Sequence, residues 1–327
     1  MFELTGNHDP SNDHRQSEAG HIRVLLAAPR GFCAGVIRAI AAVRDALEKH
    51  GAPVYVRRPI VHNLEVVRQL EREGAVFVEE LEEVPAGSVV VFSAHGVPPA
   101  VAREASLRGL FAFDAVCPLV SKVHREVERH QRDGRVMILI GHEGHPEMVG
   151  TIGHAIAGSS FIVGNPGQVE DLPLGPDTPA AYAVQTTYAV DEAQQIVEAL
   201  RAKFSDLAEP SSSDICYATT NRQAAVRAIA SQSDAVIVVG APFSSNARRL
   251  AEVASRTCAN VQLVAIPTDV DWGLIPLSGT VGISAAASTP EGSVTAIIDA
   301  LSDRLEVSVE EVETVIERAI FKPLEIS

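Results

Sequence analysis

Residues 24–51 read VLLAAPRGFCAGVIRAIAAVRDALEKHG, and this stretch sets the fold. A short apolar run ends at Cys33. Val36, Ile37, Ile40, Val43 and Leu47 then recur at helical spacing, and Gly51 closes the helix. Residues 113–134, FDAVCPLVSKVHREVERHQRDG, repeat the pattern around Cys117, with Val120, Val123 and Val127 on one face and Gly134 as the stop. Residues 214–234, DICYATTNRQAAVRAIASQSD, repeat it around Cys216 with a weaker stripe at Ala225, Val226 and Ile229. A strand pattern follows each helix: PVYVRR, VMILIG and AVIVVG.

Working outward, each strand runs into a polar helix start, at His62-Asn63, His145-Pro146-Glu147 and Ser244-Ser245-Asn246. His62, His145 and Ser244 lie 29, 28 and 28 residues beyond the preceding cysteine. The helical stretches LEVVRQLEREG, EMVGTIGHAIAG and ARRLAEVASRT come next. Each unit ends in a further strand and polar loop: VVVFSAHGV with His95, AYAVQTT with Thr186 and Thr187, and TVGISAAAST with Ser284 and Ser288. Self-similarity at a fixed period predicts three related units.

Alternating strands and helices predict an α/β protein with mainly parallel sheets and right-handed crossovers. Its functional loops should gather at the carboxyl ends of the strands. We expect three α/β lobes in a pseudo-threefold arrangement around a central metal site. The expected boundaries are a disordered polar arm at 1–20, a first lobe at 35–117 and a second at 118–214. A third lobe combines 22–34 with 215–315, because the strand before Cys33 can join the C-terminal unit and close the ring. The tail is 316–327. The acidic segment Val307–Ile316 reads as a terminal helix with Val309, Val312 and Ile316 spaced for packing.

Composition narrows the function. The chain has 327 residues, 46% of them apolar, enough for a sizeable core. Its net charge of −15 argues against a nucleic-acid or anionic-membrane binder, both of which need basic footprints. No apolar run approaches the ~18 residues of a membrane span, and the first residues carry no export signal. A cytoplasmic protein with reduced thiols is expected.

Three thiols from three strand ends can bind zinc or an iron–sulfur cluster. No C-x-x-C pair exists, so the usual zinc-ribbon and ferredoxin spacings are absent. Three cysteines would leave one iron of a four-iron cluster open to substrate. Cys258, with no counterpart in the other units, reads as a packed or free thiol. His62, His95 and His145, with the loop serines and threonines, form a donor-rich set suited to phosphate oxygens. Glu147 can either keep a proton in a dry pocket or interact with a helix dipole. His142 reads as structural. The run Pro29–Gly35 has neither G-x-G-x-x-G nor a P-loop lysine, so its glycines read as turn formers at the metal.

PRGFCAGV, VHN, SAHGV, VCPLV, GHEGHPE, QTT, DICYATTNRQ, SSN and ASTPE, in this order, resemble the 4-hydroxy-3-methylbut-2-enyl diphosphate reductases over roughly residues 22–315. The resemblance implies a three-lobed fold around a [4Fe-4S] cluster held by Cys33, Cys117 and Cys216. It implies that His62, His95, His145, Ser244, Ser245, Asn246 and Ser288 grip a diphosphate. Thr186 would sit near the substrate and its proton relay, with Glu147 delivering protons beside His145. The implied reaction removes an allylic hydroxyl with two electrons and two protons, giving isopentenyl and dimethylallyl diphosphates in the last step of the non-mevalonate isoprenoid pathway. A ferredoxin or flavodoxin is the implied electron donor. Ala241-Pro242-Phe243 and Ala286 depart from the family pattern beside the phosphate loops. The residues alone leave two other readings: a zinc-dependent phosphohydrolase and a non-catalytic diphosphate-binding protein.

Overall fold

The computed structural model describes residues 20–327. The polar arm expected at 1–20 lies, apart from Gly20, outside that range.

Strand β1 (His21–Ala28) leads through Cys33 into α1 (Ala34–His50), then β2 (Val54–Arg57), α2 (Leu64–Glu73), β3 (Ala75–Val78), β4 (Val89–Phe92), α3 (Pro99–Leu107) and β5 (Phe111–Asp114). After Cys117 come α4 (Pro118–Arg132), β6 (Val136–Ile140), α5 (Pro146–Ile152), β7 (Ser160–Val163), α6 (Pro166–Glu170), β8 (Ala180–Val184), α7 (Val190–Lys203) and β9 (Leu207–Ala208). After Cys216 come α8 (Tyr217–Ala230), β10 (Ala235–Val239), α9 (Ser245–Ser255), β11 (Val261–Val264), β12 (Gly279–Ala285), α10 (Glu291–Ser302) and β13 (Glu306–Glu313).

These strands form three sheets, ordered β3-β2-β4-β5, β7-β6-β8-β9 and β11-β10-β12-β1-β13, with every pairing parallel. The protein is therefore α/β with three parallel sheets. Corresponding strands hold corresponding places: β2, β6 and β10 sit second, and β4, β8 and β12 sit third. In the third sheet the fourth place is filled by β1, from the other end of the described chain.

The strand sequences explain the burial. VVVF, AAYAV and AVIVV are apolar throughout and buried throughout, as parallel strands covered on both faces must be. Val91, Ile138 and Ile237 have no exposed surface, and burying such a side chain contributes about 1.5–3 kcal/mol.

Two local expectations fail. Residues 306–313 are strand rather than helix. Val307 and Val309 alternate at period two, and β1 offers an eight-residue parallel partner. Glu310 pairs with Arg23 at 2.8 Å and Glu311 with Arg30 at 2.7 Å, so the glutamates mark a charged sheet edge. Helix α5 stops at Ile152 instead of running to Gly158. A Cβ on Gly153 would come within 2.5 Å of the Pro98 side chain, and one on Gly150 within 3.2 Å of the Gly96 carbonyl oxygen. The glycines thus serve close packing against the segment that follows β4.

Beyond β13 the tail crosses to other parts of the molecule. Glu317 accepts from Arg222 at 2.9 Å, Lys49 donates to the Ile326 carbonyl at 2.6 Å, and Leu324 and Ile326 pack against the core around α1.

Candidate active site

Cys33, Cys117 and Cys216 each occupy the N-cap of a helix, α1, α4 and α8. Helix N-termini favour thiolates. All three line one cavity of about 700 Å³, including its open mouth. A Cβ on Gly35 would lie 2.8 Å from the Cys117 sulfur and 3.8 Å from that of Cys33, so glycine is needed where the first helix meets the second thiol. Gly31, at φ 65°, makes the turn expected of it. Cys216 Sγ lies 3.2 Å from the Thr219 hydroxyl, a pocket residue that the sequence did not single out.

Burial drives the Cys117 thiol up to about 12 and the Cys216 thiol up to about 11, and the neighbouring sulfurs add to both shifts. Bare thiolates at Cys117 and Cys216 are thus disfavoured here, and a cationic metal group would offset that cost. Among the described residues, no three His, Cys, Asp or Glu side chains converge on a point suited to one ion, the geometry that a lone zinc would require.

The same cavity is walled by His62, His95, His145, Glu147, Thr186, Ser244, Ser245, Asn246 and Ser288. Every proposed site residue therefore reaches it. The three imidazoles face one another, with ring centroids 4.2 Å (His62–His95), 5.5 Å (His62–His145) and 6.1 Å (His95–His145) apart. Desolvation, aided by neighbouring cations, holds His62 down at about 4 and His145 at about 3; burial also takes His95 well below its ordinary range. They are neutral near pH 7. His62 Nε2, His145 Nε2 and Asn246 Nδ2 are buried without a hydrogen-bond partner. Unpartnered buried donors carry a cost that an oxyanion in the cavity would remove. Helix α9 adds its N-terminus, where Ser244 caps Ala247 N at 3.4 Å and Asn246 Oδ1 accepts from Ala287 N at 3.0 Å.

Glu147 is 2% exposed. Its Oε1 accepts from Thr186 N at 2.7 Å and its Oε2 from Thr186 Oγ1 at 2.9 Å. Desolvation raises its pKa to about 7 although both Thr186 contacts pull the other way. The carboxyl can therefore hold a proton at neutral pH. Gln185, another residue the sequence reading passed over, donates to Thr187 Oγ1 at 2.7 Å and to Ser245 Oγ at 3.3 Å. It also accepts from the His142 backbone at 3.0 Å. His142 lies behind this wall, 2.7 Å from Arg249 Nη2.

Phe243 is 43% exposed, with its ring edge-on to His62 at 6.1 Å. Ala286 is fully buried opposite Gly240. Cys258 is buried in the core between α8, α9 and their strands, away from the cavity.

A family model described as LytB protein matches residues 24–302. The chain belongs to this family. It is 51% identical to the 4-hydroxy-3-methylbut-2-enyl diphosphate reductase of Beijerinckia indica subsp. indica, over 93% of this chain and 95% of that one. It is 52% identical to the enzyme of the same name from Methylocella silvestris, over 93% and 95%. Among solved structures, the E-1-hydroxy-2-methyl-but-2-enyl-4-diphosphate reductase of Plasmodium falciparum superposes with a TM-score of 0.84 at 35% identity, covering 93% of this chain and 96% of that one. A second, described as the terminal enzyme of the non-mevalonate pathway, gives 0.62 at 28% identity, covering 86% and 99%. Membership in the LytB family and the three-sheet architecture agree with the resemblance read from the nine motifs. No helix among the described residues is long and apolar enough to cross a membrane.

Proposed function

We propose that this LytB-family chain reduces 4-hydroxy-3-methylbut-2-enyl diphosphate to isopentenyl and dimethylallyl diphosphates. The allylic C–O bond breaks, two electrons and one proton go to the allyl unit, and a second proton leaves with the hydroxyl as water. The observation that carries the reading is the meeting, in one cavity, of three N-cap cysteines, three neutral histidines and one buried carboxyl poised near neutrality.

Cys33, Cys117 and Cys216 are the residues we assign to a [4Fe-4S] cluster. Bound there, the cluster would supply electrons to the substrate. His62, His95, His145, Ser244, Ser245, Asn246 and Ser288 then hold the diphosphate through N–H and O–H donors. Neutral imidazoles suit this, since each offers a donor without the cost of a buried charge. Glu147 stores a proton and passes it through Thr186 Oγ1, a hydroxyl able to accept on one side while donating on the other. The electron donor we infer is a ferredoxin or flavodoxin, and a reducing cytosol suits thiols that must stay unpaired.

The test is anaerobic purification, iron and sulfide analysis, and turnover of 4-hydroxy-3-methylbut-2-enyl diphosphate with a reduced viologen. We expect several irons per chain and formation of both products. An iron-free chain with full turnover would overturn the proposal. Zinc with phosphate release would favour the hydrolase, and binding without turnover the non-catalytic reading.

A further inference from the structure

The three cysteine helices also bind one another's loops. Each carries a cation five or six residues beyond its cysteine. On α1, Arg38 Nη1 donates at 3.0 Å to the carbonyl of Val116, the residue before Cys117. On α4, Lys122 Nζ donates to Ser212 O at 2.7 Å, Ser213 O at 3.1 Å and Asp214 Oδ1 at 3.1 Å, just ahead of Cys216. On α8, Arg222 donates to Gly31 O through Nε at 3.0 Å and Nη2 at 2.8 Å, and Nη2 reaches Phe32 O at 3.4 Å, just ahead of Cys33. The direction is the same each time, so the links close a ring: first cysteine helix to second loop, second to third, third to first.

A single arginine on a carbonyl is commonplace. Three of three, at nearly one offset and in cyclic order, is not expected of surface cations. The burial is telling as well. Arg222 is 0% exposed, and a guanidinium is carried into a core only where acceptors compensate its lost hydration. Two of the three cations are further tied by the C-terminal tail. Glu317 faces Arg222 at 2.9 Å, and Arg38 Nε donates to Lys322 O at 3.0 Å. Tyr217, next to Cys216, accepts from Ala34 N at 3.3 Å and doubles the link at the third joint.

We propose that Arg38, Lys122 and Arg222 are positioning residues that fix the three cysteine loops at the mutual spacing a shared metal group requires. The proposal rests on the assignment of the three thiols to that group. Each cation bonds to backbone or side-chain oxygen ahead of a cysteine, so it acts through the loop and not on the metal. Partners behind metal ligands commonly tune affinity by about 10–100-fold when removed.

The experiment compares Lys122→Met, Lys122→Arg, Arg38→Met and the control Arg125→Met, which removes an exposed α4 cation whose bond is to Ser121 of its own helix. Two readouts are taken under argon. The first is the rate at which the reconstituted chain gives up iron to a chelator. The second, on the reduced metal-free chain, is the yield with which dibromobimane, a short bis-alkylating reagent, bridges pairs of the three cysteines, mapped by peptide mass.

Lys122→Met and Arg38→Met should lose iron about 10-fold faster or more, while Lys122→Arg returns toward the wild-type rate and Arg125→Met matches it. In the metal-free chain, Lys122→Met should depress the Cys117–Cys216 bridge and Arg38→Met the Cys33–Cys117 bridge, each sparing the other pairs. Wild-type iron retention and bridging in both methionine variants would overturn the ring. If Lys122→Met fails to fold, the half-buried Arg38→Met decides. A wild-type chain that takes up no iron would instead overturn the thiol assignment, while the bridging yields would still test the ring.

Discussion

The floor and the wall of the cavity obey different symmetries. The floor is built from three loops that are near copies: a cysteine at an N-cap, a long helix behind it and a cation reaching the next loop. The wall uses the other strand ends, which are also equivalent in the fold, yet their residues differ. His62, His145 and Ser244 correspond, as do His95, Thr186 and Ser288. A threefold floor suits a compact group bound by equal ligands. A wall that breaks the symmetry suits an asymmetric molecule with a charged end and a reactive end. Repetition thus builds the holder, and divergence among the copies builds the selectivity.

The comparison can be broken by substitutions that should affect one region alone. Cys117→Ser strikes the floor. We expect it to lose bound iron and to drop turnover by more than about 100-fold, since a direct ligand should count for more than its supports; normal iron content after anaerobic reconstitution would show that the floor is not the metal holder. Glu147→Gln strikes the wall. Turnover should fall by about 10²–10⁴-fold with iron and the visible spectrum unchanged, and the wild-type decline in rate as pH rises through about 7 should vanish with it.

The same variant sharpens the electrostatic account. A carboxyl whose folded pKa is raised from 4.5 to about 7 is favoured in its protonated form by folding. The folded chain then binds more protons than the unfolded chain across that window, so stability declines as pH rises from about 4.5 and the loss is complete above about 7. Glu147→Gln should therefore stabilise the metal-free protein at pH 8 by up to about 3 kcal/mol and leave it nearly unchanged at pH 4. Urea titrations at the two pH values give the answer, and equal shifts at both would reject the desolvated-acid picture.

Smaller effects should follow elsewhere. His145→Ala should weaken inorganic diphosphate by about 1–3 kcal/mol in calorimetry without altering iron content; unchanged affinity would remove that imidazole from the anion grip. Cys258→Ala should reach neither region. A cost of about 1 kcal/mol in stability is expected for shortening a buried side chain, with iron and turnover intact, and any loss of iron would count against a purely packing role.

Much of this was legible in the chain because the repeat enforces it. The spacing from cysteine to polar helix start, kept at 28 or 29 residues, can be read without any alignment. The apolar runs VVVF and AVIVV declare buried parallel strands. What stayed hidden depends on partners that local pattern does not encode. Residues 306–313 carry four acidic side chains, and they form a strand because β1 supplies hydrogen bonds while Arg23 and Arg30 supply positive charge. Gly150 in α5 and Gly153 at its C-cap are pressed on Gly96 and Pro98, contacts with a segment distant in sequence. Gln185 and Thr219 hold the wall and floor in place from neutral side chains with no signature of their own. Arg38, Lys122 and Arg222 had a signal, an offset of five or six residues from each cysteine, but their targets lie far away in sequence.

One consequence concerns the order of assembly. Strand β1 is made long before its partners, since both of its neighbours, β12 and β13, follow it by more than 250 residues. At roughly 5–20 residues per second, that apolar strand waits tens of seconds for company while two complete sheets can form beside it. The last sheet is thus a clasp fastened between segments far apart along the polypeptide. A nascent chain halted before β12 should leave residues 22–28 open to a protease, long after β2 through β8 have become resistant.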